Sequence, residues 1–126
     1  MGVLRLTVTS IADLAHAEYC YLTTRGRRTG RPHRIEIWFV AYEGAAYLLA
    51  GGEGDWYRNL VADPGVTLEI GGERRATLAS TIAADEPINA LVRPAMAAKY
   101  QPGYGEDLDD WSREALLVRV AWPPEP

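Results

Sequence analysis

Arg25, Arg27, Arg28, Arg31 and Arg34 stand close together in a chain whose formal net charge is -4. Crowded guanidinium groups repel one another, and an anion or facing carboxylates must offset that repulsion. Glu36 and Glu43 are the carboxylates close by in sequence. The bland alternative is a solvated tip whose charges serve solubility. A second feature follows at a fixed distance, where Gly51, Gly52 and Gly54 run into Asp55-Trp56-Tyr57. A glycine loop that feeds a helix N-terminus and a set of arginine forks are two separate ways to hold phosphate oxygens. Together they predict a small, anionic, phosphorylated ligand, with Arg27, Arg28 and Thr29 nearest the phosphate and His33 beside them.

Other side chains carry a functional and a structural reading side by side. Gly51, Gly52 and Gly54 either form a plain connection or let the backbone approach a ring or phosphate closely. Trp56, Tyr57 and Leu60 are most simply the buried face of a short helix. Asn59 on that face needs a hydrogen-bond partner. Tyr100 and Tyr104, with Trp111 after them, are packing aromatics or a lid whose phenol supplies a proton. Cys20, between aromatic neighbours, reads as a buried strand residue.

Several chemistries lack support. There is no G-x-G-x-x-G after a strand, no glycine-lysine phosphate loop, no H-E-x-x-H and no G-x-S-x-G. His16 and His33 are the only histidines and Cys20 the only cysteine, so no metal site is expected. With 17 acidic against 13 basic side chains, the surface as a whole disfavours nucleic acid and anionic membrane. The lone cysteine fits a reducing compartment, and no apolar run reaches spanning length, so the expectation is a cytoplasmic protein that is not an integral membrane protein.

These residues need elements to position them. The length of 126 residues and 48% hydrophobic content suit one domain over 1–126. Tyr19 to Thr24 and Ile35 to Val40 read as two strands of a meander with the arginine tip between them. Glu43-Gly44 turns into a third, Ala45 to Ala50, and Asp55 is the expected N-cap of a helix over Trp56 to Ala62. VTLEI and RRATLAST form a hairpin about Gly71-Gly72. Asp85-Glu86-Pro87 starts a helix with Ile88, Leu91, Val92, Ala95 and Met96 on its apolar stripe, kinked or divided at Pro94. A polar stretch through Asp110 leads to a last strand, Ala115 to Trp122, and a Pro-rich tail. About six short strands with little helical cover predict a mainly β, α+β fold, an antiparallel barrel.

LTTRGRRTGRP, the spacing to GGEGDWYRNLVADPGVTLEI, and KYQPGYGEDLDDW before the final strand resemble the deazaflavin-dependent nitroreductase family, a branch of the flavin/deazaflavin oxidoreductases. The likeness runs from about Tyr19 to Val120. It implies a split β-barrel related to FMN-binding and pyridoxamine phosphate oxidase barrels, and the deazaflavin coenzyme F-420 as hydride donor, with FMN as the alternative. It also implies that Arg27, Arg28, Thr29 and His33 hold the coenzyme's phosphate. Arg34 through Phe39, with Ile35, Ile37 and Trp38, line the ring; Ala50 to Gly54, including Gly51 and Gly52, receive the side chain; Trp56 and Asn59 complete the site. In the nitroimidazole-reducing branch the loop before WYxNL is longer and begins with serine and lysine, and a further tyrosine stands where this chain has Leu108. A quinone or other conjugated acceptor is therefore expected at least as much as a nitro compound.

The implied mechanism asks the protein to hold a reactive carbon against an apolar planar acceptor and to exclude water. Trp38 and Trp56 wall the ring, and Tyr100 or Tyr104 protonates the product. The competing reading keeps the barrel as a non-catalytic carrier of deazaflavin, FMN or a similar anionic aromatic ligand. The apolar and aromatic content also permits a homodimer.

Overall fold

The computed structural model describes residues 10–124. Twelve elements follow in chain order: α1 (Ile11–Leu14), β1 (Cys20–Arg25), β2 (Pro32–Ile37), β3 (Val40–Tyr42), β4 (Ala45–Ala50), α2 (Asp55–Ala62), β5 (Gly65–Ile70), β6 (Glu73–Ile82), α3 (Asn89–Tyr100), a 3-10 turn (Gln101–Gly103), α4 (Asp109–Glu114) and β7 (Leu116–Ala121). The strands form one antiparallel sheet in the order β2-β1-β5-β6-β7-β4-β3.

The run expected as one strand over Ile35 to Val40 is two strands, β2 and β3, and they sit at opposite edges of that sheet. Only Trp38 and Phe39 lie between them. Three residue steps reach at most about 11 Å, so the two edges must curl toward each other. This is the split barrel, closed at the split by the covalent chain. β6 is the strand that bends. Residues 73–78 pair with β5 and 79–82 with β7.

Turn chemistry sets the register where it was expected to. Gly71 (φ 57°) and Gly72 (φ 84°) give the β5–β6 hairpin two successive left-handed residues, the geometry that matches strand twist. β4 is buried along its whole length. Ala46 and Leu48 face an inner core with Leu22, Phe39, Leu68, Val118 and Val120, while Ala45, Tyr47 and Leu49 face a second core under α3 and α4. A strand covered on both faces carries no polar alternation, which explains the unbroken AAYLLA.

The helices depart from expectation in detail. α2 starts at Asp55 with Gly54 as its N-cap. α3 starts at Asn89, whose side-chain amide donates to Ala83 O and Glu86 O, and it runs through Pro94 without dividing. Its buried stripe is Asn89, Val92, Met96 and Tyr100, leaving Leu91 exposed. The polar stretch through Asp110, to which no element was assigned, runs into α4, with Asp109 and Asp110 in the first turn, where negative charge suits the helix dipole, and both paired to Arg113. The last strand is one residue shorter at each end than the expected Ala115 to Trp122.

Candidate functional site

The tip between β1 and β2 is a tight loop. Gly26 N–H donates to Arg31 O at 2.7 Å, Gly30 N–H to Gly26 O at 2.8 Å, and Arg31 N–H to Thr29 Oγ1 at 3.2 Å. Gly26 is glycine for a packing reason, since a Cβ there would stand 2.7 Å from His33 Nε2. The His33 ring is thus pressed against the loop. Gly26, Arg27, Arg28, Thr29 and His33 then line a cavity of about 210 Å³ with Asp55 and Asn59 of α2.

Arg27 is committed to α2. Its guanidinium donates to Asn59 Oδ1 at 2.8 Å and to Asp55 Oδ1 at 3.2 Å, and its backbone N–H also meets Asn59 Oδ1 at 3.2 Å. Asn59, 3% exposed, turns its Nδ2 to Thr24 Oγ1 at 3.3 Å. The buried amide has the partners it needed, and it welds the tip to the helix. The carboxylates that offset the arginines are not Glu36 and Glu43: Arg25 pairs with Asp63, Arg27 with Asp55 and Arg34 with Glu69. Arg28 has no ion-pair partner among the described residues, and it faces the cavity. An uncommitted guanidinium at a pocket, braced by a second that is fully used, has the chemistry to pair with an anion.

Antiparallel register puts His33, Ile35 and Ile37 opposite Thr24, Leu22 and Cys20, so the three share the inward face of β2. Ile35, Ile37 and Trp56 pack on the inner core. Gly51, Gly52 and Gly54 are exposed, with open space where each Cβ would be.

At the far end of that row lies a second cavity, about 260 Å³, lined by Tyr19, Glu36, Ile37, Trp38, Leu49 and Trp111. Trp38 stands at the centre of an aromatic group. Tyr100 stacks on it at 4.2 Å, and Tyr104 and Trp111 meet it edge-on at 5.5 and 5.6 Å. Sequence reasoning put Trp38 and Trp56 together as two walls, whereas the structure packs them on different cores.

Tyr100 and Tyr104 also part company. Phe39 N–H donates to Tyr100 Oη at 3.0 Å, and the hydroxyl donates to Glu18 O at 2.7 Å, with Phe39 O at 3.1 Å. Burial pushes its pKa up to about 12. A phenol so placed holds the Trp38-Phe39 crossover. Lys99 helps it, donating to Phe39 O at 2.8 Å and Ala15 O at 3.1 Å with its ammonium over the Phe39 ring, and burial lowers its pKa. Tyr104 is the exposed phenol of the pair. Lys99 and Leu49 were missed as site-shaping residues, because only the tertiary fold brings α3 and β4 to the crossover.

A profile described as F-420H(2)-dependent quinone reductase matches residues 3–123. The fold is shared with a solved F-420 reductase at 19% identity and TM-score 0.68, covering 96% of this chain and 97% of that one. It is shared too with HutZ, the heme storage protein of Vibrio cholerae, at 22% identity and TM-score 0.69, covering 92% and 88%. A provisionally assigned pyridoxamine 5'-phosphate oxidase from Listeria innocua matches at 21% identity and TM-score 0.64, covering 92% and 90%.

Proposed function

The chain belongs to the family of F-420H(2)-dependent quinone reductases, and on that premise we propose that it passes hydride from reduced coenzyme F-420 to a small planar quinone held against Trp38. The observation that carries this reading is the row His33, Ile35, Ile37, which joins an anion-binding cavity to an aromatic one. Four residue steps along a strand cover roughly 13 Å. That span suits a molecule with an anionic tail at one end and a flat ring at the other.

The residues present fit such a coenzyme. Arg28 is the uncommitted cation for its phosphate, with Arg27, Thr29 and Asn59 shaping the tip around it. The open backbone of Gly51 and Gly52 leaves room for the side chain, and Ile35, Ile37 and Trp56 offer the ring an apolar bed. When bound, F-420H(2) supplies the hydride, so no catalytic dyad is required. The protein's share is orientation and exclusion of water. Trp38, Leu49 and Trp111 provide an apolar wall for the acceptor, and Tyr104, edge-on to Trp38, is the phenol placed to return a proton to the reduced product. Pairing into a homodimer through exposed residues such as Tyr42 and Leu78, and residence in the cytoplasm, belong to the same proposal. No helix among the described residues is long and apolar enough to cross a membrane.

The test is a fluorescence titration with F-420 beside FMN, followed by mixing the reduced complex with 1,4-naphthoquinone and with a nitroimidazole. Saturable binding and oxidation by the quinone support the reading. Binding without oxidation by any acceptor replaces it with the carrier reading, and preference for FMN moves the protein to a flavin.

A further inference from the structure

The two cavities at the ends of β2 carry opposite charge. At the first, Arg27 and Asp55 neutralise each other and Arg28 leaves an excess of positive charge, whereas Glu36 is the ionisable side chain on the second apart from the Tyr19 phenol. Resting on the reading of the Trp38 cavity as the acceptor site, we infer that this cavity sorts acceptors by charge, taking neutral quinones and rejecting sulfonated or carboxylated ones, with Glu36 as the residue that discriminates.

The groups around the cavity leave the Glu36 charge in place. Its carboxylate accepts from the Tyr21 hydroxyl at 2.9 Å, a neutral donor that fixes its position without cancelling its charge. Arg34 is the nearest cation along the strand, but its guanidinium bonds Glu69 at 3.0 Å and lies over the Tyr21 ring at 4.0 Å, and Glu36 is the weakest of the groups that act on it. Lys99 is turned away onto the carbonyls of Ala15 and Phe39. Glu18, next to Tyr19, adds a second negative charge. Both carboxylates act on the Tyr19 phenol and raise its pKa, with Glu18 the larger cause, so both are felt at the cavity mouth. The remaining walls, Ile37, Trp38, Leu49 and Trp111, are apolar or aromatic. A neutral ring loses little on entering them. An anion enters a partly desolvated pocket beside a like charge, which costs on the order of tenfold in affinity at a partly screened surface site.

The arrangement also keeps the two reactants at their own ends. An anionic quinone is drawn toward Arg28, where the coenzyme's tail must sit. A neutral one has no such pull.

The experiment compares 1,4-naphthoquinone with its 2-sulfonate in the wild type and in Glu36→Gln, which keeps an acceptor for the Tyr21 hydroxyl. Steady-state oxidation of F-420H(2) gives the ratio of kcat/KM values, and quenching of tryptophan fluorescence by each quinone without coenzyme gives binding. Because intrinsic reactivity cancels between variants, the expected result is that the preference for the neutral quinone falls on the order of tenfold in Glu36→Gln, in binding as well as in kcat/KM. In the wild type it should also shrink as salt is raised. Turnover with a preference unchanged by the substitution and by salt overturns the charge sorting and leaves the reductase reading standing. Failure of both quinones to bind or to oxidise the coenzyme overturns the acceptor site, and this inference with it.

Discussion

The indole of Trp38 lies flat on the ring of Tyr100, centroids 4.2 Å apart and planes 4° from parallel, while the Tyr100 hydroxyl is tied to the main chain of the next residue, Phe39. One side chain therefore fixes both the wall of the cavity and the backbone that crosses the barrel split. Tyr100→Phe keeps the stack and removes the hydroxyl, leaving the Phe39 N–H without its acceptor. Loss of such a buried pairing costs about 1–3 kcal/mol. The expected outcome is a lower urea midpoint with kcat for F-420H(2) oxidation little changed. A collapse of kcat with unaltered stability would restore the proton-donor role to this tyrosine.

The same phenol gives stability a dependence on high pH. Its pKa is raised from 10.0 to about 12 by burial, so the folded protein holds the proton more tightly than the unfolded chain does. The sign follows: the contribution is complete below pH 10 and disappears as the pH climbs through 12, a loss of up to about 2–3 kcal/mol. Cys20, also raised to about 12 by burial, adds its own loss in the alkaline range. Urea unfolding at intervals from pH 8 upward should show a steeper decline in the wild type than in Tyr100→Phe. Parallel curves would mean that the phenol titrates alike in both states.

Arg27 and Arg28 are neighbours with opposite duties. Arg28→Ala removes the cation that faces the cavity, and losing a charge-assisted hydrogen bond of about 1.5–3 kcal/mol weakens F-420 binding roughly 10- to 150-fold with little change in thermal midpoint. Arg27→Ala instead cuts the tie to Asp55 and Asn59. It should lower the midpoint and weaken binding together. Equal effects of the two substitutions on stability would contradict this division, and paired calorimetry and titration decide it.

How much was legible beforehand depends on the range of the interaction. Gly71-Gly72, AAYLLA and the arginine tip were readable because local turn and burial rules decide them. The break at Trp38-Phe39 was not, since IEIWFVAY is continuous strand-like sequence and the groups that pin it, Tyr100 and Lys99, come from about half a chain away. The expected α3 stripe holds at Val92 and Met96 and fails at Leu91 and Ala95 for a related reason: Leu91 and Val92 both suit a helical apolar face, and the docking of Tyr100 at Phe39 selects Val92. For α4 a signal existed and was passed over, in the spacing of Asp109 and Asp110 to Arg113. Within the site, residue types pointed to phosphate binding, but that Arg28 and Arg31 have no ion pair among the described residues depends on where Asp55, Asp63 and Glu69 sit, and that Arg28 is the one at the cavity is likewise tertiary information.

Gly26 offers a test of how tightly the tip is built. A Cβ at this position meets His33 Nε2 at 2.7 Å and Cδ2 at 3.0 Å, with Arg31 O at 3.2 Å. The closest atoms belong to a ring at the end of a side chain that can swing away, so Gly26→Ala should displace His33 into the cavity without unfolding the hairpin. Gly26 is itself buried, so the added methyl overpacks the tip and is expected to cost about 1–3 kcal/mol, while F-420 binds more weakly. His33→Ala removes the obstruction, and the double variant should recover part of the affinity lost in Gly26→Ala. That non-additivity is the signature of direct contact. Strict additivity would show that the alanine acts through Arg31 and the loop backbone, and that the His33 ring does not set the shape of the anion cavity.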